Sequence, residues 1–199
     1  MSLELLAAFT LFAIVTLFTP GPNNVMLMAS GLNFGLPRTL PHLFGVSLGF
    51  GLMVLLVGLG LGALFAAYPV LYTVLKYAGA AYLLWFAWLI ATAAPAEPGA
   101  EARGRPLTFL EAAAFQWVNP KGWVMAIGAT ATYAALARFP LNVVLMAALF
   151  GALGTVSALF WAWSGAGLRL LLRNARAVRA FNIAMALLLV ASIYPMIFD

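Results

Sequence analysis

Two apolar stretches of this chain are broken by residues that a membrane helix cannot carry through its middle. The first runs uncharged from Leu5 to Phe18 and meets Thr19-Pro20-Gly21-Pro22-Asn23-Asn24. The second runs from Leu107 to Phe115, then Gln116, and meets Trp117-Val118-Asn119-Pro120-Lys121-Gly122-Trp123. Proline removes a backbone donor and clashes with the preceding turn, so each site opens a helix. Opened backbone is tolerated at membrane depth only where protein or a water-filled cavity surrounds it. Two interrupted segments at matching places in two halves of a chain point to a transporter's binding site.

A membrane setting follows from composition. Hydrophobic residues make up 65% of the chain and charged residues 8%, where a soluble domain carries about 25% charged. The net charge of +5 comes from scattered Arg rather than a basic patch interleaved with aromatics, so a nucleic-acid partner is not expected. There is no Cys and His42 is the only His. Thiol chemistry, disulfides and Cys-based metal sites are excluded, and neither a metal site nor a cofactor is expected. Glu4 stands where a secretory signal would be basic, so the first apolar run reads as a retained span.

A spanning helix needs roughly 20 apolar residues. Six are predicted: Leu3–Ser30, Leu43–Ala67, Val70–Ala94, Thr108–Ala137, Leu141–Gly167 and Ala180–Phe198. The first and fourth contain the breaks. Residues 32–42, 95–106 and 168–179 read as polar connections on one side. They hold Arg38, Arg103, Arg105, Arg169, Arg173, Arg176 and Arg179, whereas the opposite side holds only Lys76 and Arg138. Positive charge marks the cytoplasmic side, which puts both termini outside. The Arg-rich loops also offer anionic membrane lipid something to hold.

Cutting at 95–106 leaves residues 1–94 and 107–199, each with three spans and each opening on a broken one. Three is odd, so the halves enter from opposite faces, as an inverted repeat does. The fold class expected is all-α integral membrane, six helices in a 3+3 inverted repeat. Span 2 carries Gly45, Gly49, Gly51, Gly58, Gly60 and Gly62, and span 5 carries Gly151, Gly154, Gly165 and Gly167. Small residues let helix backbones approach closely in lipid. They serve either a rocking seam or static packing.

Asn is a good N-cap and Pro is favoured at the first helical position. Asn119-Pro120 therefore starts a half-helix inside a span, and Asn23 or Asn24 caps another beside Pro20, Gly21 and Pro22. Such ends present free N–H groups and a positive dipole, a ready anion site. Lys121 lies mid-span, where a Lys costs roughly 2.5–3.5 kcal/mol. No Asp or Glu lies deep enough to pair with it. Its partner is either a substrate carboxylate or the freed carbonyls of the broken helix. Gln116, Thr16 and Thr19 face the same alternatives. His42, beside Pro41, reads as an interfacial residue more readily than as a proton carrier. The substrate-binding set is Asn23, Asn24, Gln116, Asn119 and Lys121, with Pro20, Gly21, Pro22 and Pro120 as the breaks.

These motifs resemble those of the LysE-type amino-acid exporters, in the RhtB (homoserine and threonine exporter) branch. Thr19-Pro20-Gly21-Pro22-Asn23-Asn24 resembles the first-span signature. Asn33-Phe34-Gly35, Arg38 to His42 and Gly45 to Gly49 resemble the approach to span 2, and Phe115 to Lys121 the fourth-span Asn-Pro-Lys signature. The resemblance covers the whole chain. It implies export of an amino acid or close derivative across a bacterial inner membrane, driven by the proton gradient. It carries over Pro20, Pro22, Asn23, Asn24, Asn119, Pro120 and Lys121. Ala114 departs from the Gly of many relatives, which is expected to alter packing beside the site. A passive channel and a non-transporting membrane scaffold are the rival readings; no membrane-enzyme motif is present. Self-association into a homo-oligomer is compatible with the composition.

Overall fold

The computed structural model describes residues 2–93, 104–172, 174–194 and 197. Every regular element among them is helical. Helix α1 (Leu3–Phe18) is started by the Ser2 hydroxyl, which accepts from Leu5 N, and stops at Thr19. Helix α2 (Pro22–Phe34) begins after Pro20-Gly21, and the pair is bent by 54°. Helix α3 (Leu36–Leu56) continues through a wide turn (Val57–Leu61) into α4 (Gly62–Ala67). Tyr68-Pro69 ends that rod and opens α5 (Pro69–Ala91). A second broken segment follows. Helix α6 (Phe109–Phe115) opens on a Thr108–Glu111 capping box, tightens into a 3-10 turn (Gln116–Val118) and breaks at Asn119. Helices α7 (Pro120–Thr132), α8 (Leu141–Leu171) and α9 (Ala175–Ala191) follow.

Three rods are long and apolar enough to cross a membrane by themselves, Leu36–Ala67, Pro69–Ala91 and Leu141–Leu171, and α1 with α2 makes a fourth if the bent pair counts as one span. The outer faces of these helices and of α7 and α9 are greasy: Leu11, Leu52, Trp88, Val124, Leu159 and Leu187 are all exposed. A soluble monomer does not present so much apolar surface, whereas lipid tails cover it. Polar side chains go inward instead, among them Asn24, His42, Gln116, Asn119 and Asn182.

Two connections are shorter than the sequence suggests. The 32–42 segment is almost wholly helical, and the turn shrinks to Gly35, whose φ of 78° suits glycine. Pro37 sits in the first turn, where its missing donor is orphaned anyway. Pro41 forfeits only one rung, and α3 runs through it. At 168–179, α8 extends to Leu171 and α9 starts at Ala175, with the Asn174 side chain accepting from Arg176 N at 2.9 Å. Most of the predicted 95–106 linker, with Arg103, lies outside the described residues, as does Arg173.

The glycines divide into two kinds. Gly31 of α2 and Gly165 of α8 hold those helices backbone to backbone: a Cβ on either would collide with the carbonyl of Ala162 or Met28. Gly45 and Gly49 bring α3 nearly as close to α6, against Phe109 O, Ala112 and Ala113. Gly60, at φ 125° and with open space around its Cβ position, serves the wide turn rather than any seam.

Candidate functional site

A break in a helix frees carbonyls, and at membrane depth each needs a donor. At the first break Leu17 O accepts from Asn24 Nδ2 and Ser157 Oγ, both at 2.9 Å. Thr19 O accepts from Asn24 Nδ2 at 2.9 Å and from Lys121 Nζ at 2.6 Å. At the second break Trp117 O accepts from Trp123 Nε1 at 2.8 Å. The donors for the first break come from three helices, α2, α7 and α8, so the opening is closed partly from its own side and partly from far along the chain.

Lys121 reaches the first break by lying along Gly21. A Cβ there would stand 3.0 Å from the Lys121 Cδ and 3.2 Å from its Nζ. Of the two roles open to Lys121, carbonyl bonding is therefore realised in this conformation. One of its three N–H donors is spent, and the other two are free for a ligand. Among the described residues the sole ion pair is Arg105–Glu111, which does not involve this lysine.

The capping expectations need correction. Gly21, not Asn23 or Asn24, is the N-cap of α2, and Pro22 takes the first helical position. The chain is extended at Gly21, which leaves both Asn side chains inside the first turn. They turn to other partners. Asn24 holds the α1 carbonyls. Asn23 and Gln116 exchange amide hydrogen bonds of 2.8 and 3.1 Å, tying α2 to the second break, while Gln116 Nε2 also donates to Ala112 O at 2.9 Å. Asn119 does stand at the N-cap of α7, but its side chain makes no cap bond. Its Oδ1 is buried and has no partner. Buried acceptors are rarely left unpaired, and this one borders a cavity.

That cavity is bounded by the starts of both half-helices. Gly21, Asn23 and Asn24 line it from α2, and Asn119, Lys121 and Gly122 from α7. Ser47 and Phe50 of α3, Met125 of α7, and Gly154 and Ser157 of α8 close the remaining walls. The atom-free space is ≈ 480 Å³ but includes the opening; water centres fit within ≈ 40 Å³. That is room for about three or four waters.

Thr16 also borders the cavity, yet its hydroxyl donates to Phe12 O and Ala13 O of its own helix, and Thr19 does the same to Val15 O. Gln116 is absorbed by its three bonds and lies behind the wall. Ala114 is exposed and cannot alter packing at the site. Ser157 and Ser47 were not singled out from the sequence, and Gly154 was read only as a packing glycine. Nothing marks them locally, because α3 and α8 are unbroken and only tertiary packing brings them to the gap.

His42 is not interfacial. It is fully buried, edge-on to Phe86 with centroids 6.5 Å apart. A second reciprocal amide pair, Asn33 with Asn182 at 2.9 and 3.0 Å, ties the far end of α2 to α9.

Comparison with known proteins gives the family. The LysE type translocator family matches residues 14–192. The cysteine/O-acetylserine efflux proteins of Escherichia coli (strain K12) and Shigella sonnei (strain Ss046) are each 36% identical over 192 residues, 96% of either chain. That of Escherichia coli O139:H28 is 35% identical over the same span. No solved structure matches. A family match across nearly the whole chain, with its breaks at the cavity, makes this chain a member of the LysE type translocator family.

Proposed function

We propose that the cavity between the two half-helix starts is the binding site for a small zwitterionic amino acid, which the protein exports from the cytoplasm across a bacterial inner membrane. The chain is a multi-pass membrane transporter of the LysE type and not an enzyme. The observation that carries the site is the convergence of two helix N-termini, Lys121 and the unpaired Asn119 Oδ1 on one cavity. Free N–H groups at Asn23, Asn24, Lys121 and Gly122 and the lysine ammonium suit a carboxylate. The Asn119 Oδ1 suits the substrate ammonium, which is the donor it lacks. Small enclosed volume and the serine hydroxyls of Ser47 and Ser157 suit a short polar side chain. Cysteine and O-acetylserine, the substrates in the names of the relatives, fit those demands.

The test is an efflux screen. Cells overproducing the protein are loaded through dipeptides, and amino acids in the medium are measured. Cysteine and O-acetylserine should be exported several-fold faster than by control cells, and large aromatic amino acids should not. Equal export of every amino acid down its gradient would instead indicate a channel.

Six spans in an inverted repeat organise the site in this reading. The packing supports it by its two-fold pattern: α3 lies on its counterpart α8, and α5 on its counterpart α9. The first broken helix lies on α8 and the second on α3. Helix α9 and the α6–α7 pair then complete the six. Arg38 donates to Gly104 O at 3.1 Å, and Arg169 lies against Gly35, which supports one Arg-rich cytoplasmic end and termini outside. Reporter fusions after Gly104 and at the C-terminus are expected on opposite sides of the membrane. Finding both on one side removes the inverted repeat.

Asn119→Ala separates binding from folding. The side chain makes no bond to α7, so insertion and thermal stability should stay close to the parent's. A hydrogen bond to a charged group contributes about 1.5–3 kcal/mol, so apparent affinity should fall about ten- to hundredfold. Unchanged export at equal expression would place the substrate elsewhere.

A further inference from the structure

The cavity leaves one ionisable side chain unexplained. His42 has no exposed surface, and neither ring nitrogen has a hydrogen-bond partner. A neutral imidazole carries one donor and one acceptor, so both are unmet. Ionisable side chains in a membrane interior are retained for function, and a structural imidazole would be held by a hydrogen bond.

Its position links two parts of the fold. His42 stands on α3 one helical turn before Val46, a lining residue of the cavity, and residues four apart share a helix face. One turn the other way lies exposed Arg38, at the Arg-rich end. Around it, α5 contributes Phe86 and Tyr82, which pack near-parallel at 6.4 Å, and the Tyr82 hydroxyl is likewise buried without a partner. From α6 the Glu111 carboxylate lies within electrostatic reach. Glu111 is held by Arg105 through bonds of 2.6 and 2.7 Å. Helix α2 has no titratable side chain. The imidazole is thus sealed by the Gly45–Gly49 seam between α3 and α6, with a polar rim beyond and the cavity within.

We propose that His42 is the proton-exchange site of this transporter, exposed in turn to the two sides as the α3–α6 seam opens and closes. The inference rests on the function proposed above. The unprotonated ring nitrogen takes a proton from water on the outer side while the other nitrogen keeps its hydrogen. The imidazolium then returns one proton to water on the cytoplasmic side. No other bond forms or breaks. The sealed conformation holds the neutral ring, and substrate and proton occupy the protein in different conformations. Protons leaving inward thereby drive substrate outward.

The test uses the full-length protein in liposomes with radiolabelled cysteine under reducing conditions. His42→Gln keeps a polar side chain that cannot titrate. It should retain cysteine exchange at zero pH gradient within about threefold of the parent. Accumulation driven by a pH gradient should fall at least tenfold. Gradient-driven accumulation equal to the parent's overturns the proposal. Loss of both activities by an inserted protein also overturns it, since that marks a structural residue. A second measurement needs no variant. Because His42 is the only histidine, carbethoxylation of imidazole by diethylpyrocarbonate reports on this position alone. Modification should quicken several-fold during turnover, and a rate indifferent to turnover sinks the idea. A parent protein that moves no cysteine in either assay overturns the functional reading itself, which is a separate result.

Discussion

Lys121→Met should insert at least as well as the parent and yet lose export of carboxylate-bearing amino acids by a hundredfold or more. Insertion improves because a mid-membrane charge costing roughly 2.5–3.5 kcal/mol is removed. The bond to Thr19 O is lost as well, but Thr19 is exposed at the break, so water can replace the donor. The structural penalty is therefore small. The functional penalty is large because a carboxylate brought into the cavity would lose its only neighbouring full charge. Lys121→Arg keeps the charge but replaces a compact ammonium with a planar fork, and the gap beside Gly21 leaves little room for it. It should bind weakly rather than not at all. Export is measured in loaded cells at matched membrane abundance. A Met variant as active as the parent would reduce Lys121 to a clasp across the first break.

Gly165→Ala is expected to be the most damaging single methyl group in the chain. Its Cβ would fall on the Met28 carbonyl, a backbone group that no rotamer change can move aside. Gly31→Ala meets the mirror obstacle at Ala162. Either substitution forces α2 and α8 apart. Overpacking costs typically 1–3 kcal/mol where side chains can yield, and here none can, so about 3 kcal/mol or more is expected. For a chain of this size that corresponds to a fall in melting temperature of about 6–12 °C in detergent. Gly128→Ala is the control, since nothing stands within 4 Å of its Cβ position. Equal melting temperatures for both variants would mean that the α2–α8 contact has slack.

The two breaks were legible in the sequence because proline and asparagine act locally, on the turn they interrupt. Their convergence on one cavity was inferred from the symmetry of the halves, and Lys121 from its cost. What the sequence hid were partnerships. Asn24 looked like a cap because caps are what Asn does beside Pro; it instead holds carbonyls seven and five residues back. Asn23 and Gln116 lie 93 residues apart, and no local rule pairs them. His42 was misplaced at the rim because Pro37 and Pro41 suggested a loop, and a first-turn proline does not prevent a helix. Ser157 became visible only once α8 was packed across the first break.

The wide turn at Val57–Leu61 has a consequence for direction. Gly60 leaves helical geometry there (φ 125°, ψ −6°), so the rod is kinked and α4 restarts beyond it on a new course. Beyond it lies Phe65, whose ring sits 4.3 Å from Trp123, with Tyr72 completing the cluster at 5.7 Å. Trp123 is also the donor that closes the second break. The aim of α7, and with it one of the two poles facing the cavity, is thus tied to a kink at one glycine in a different helix. A chain regularised at Gly60 would keep its length of greasy rod and lose its aim.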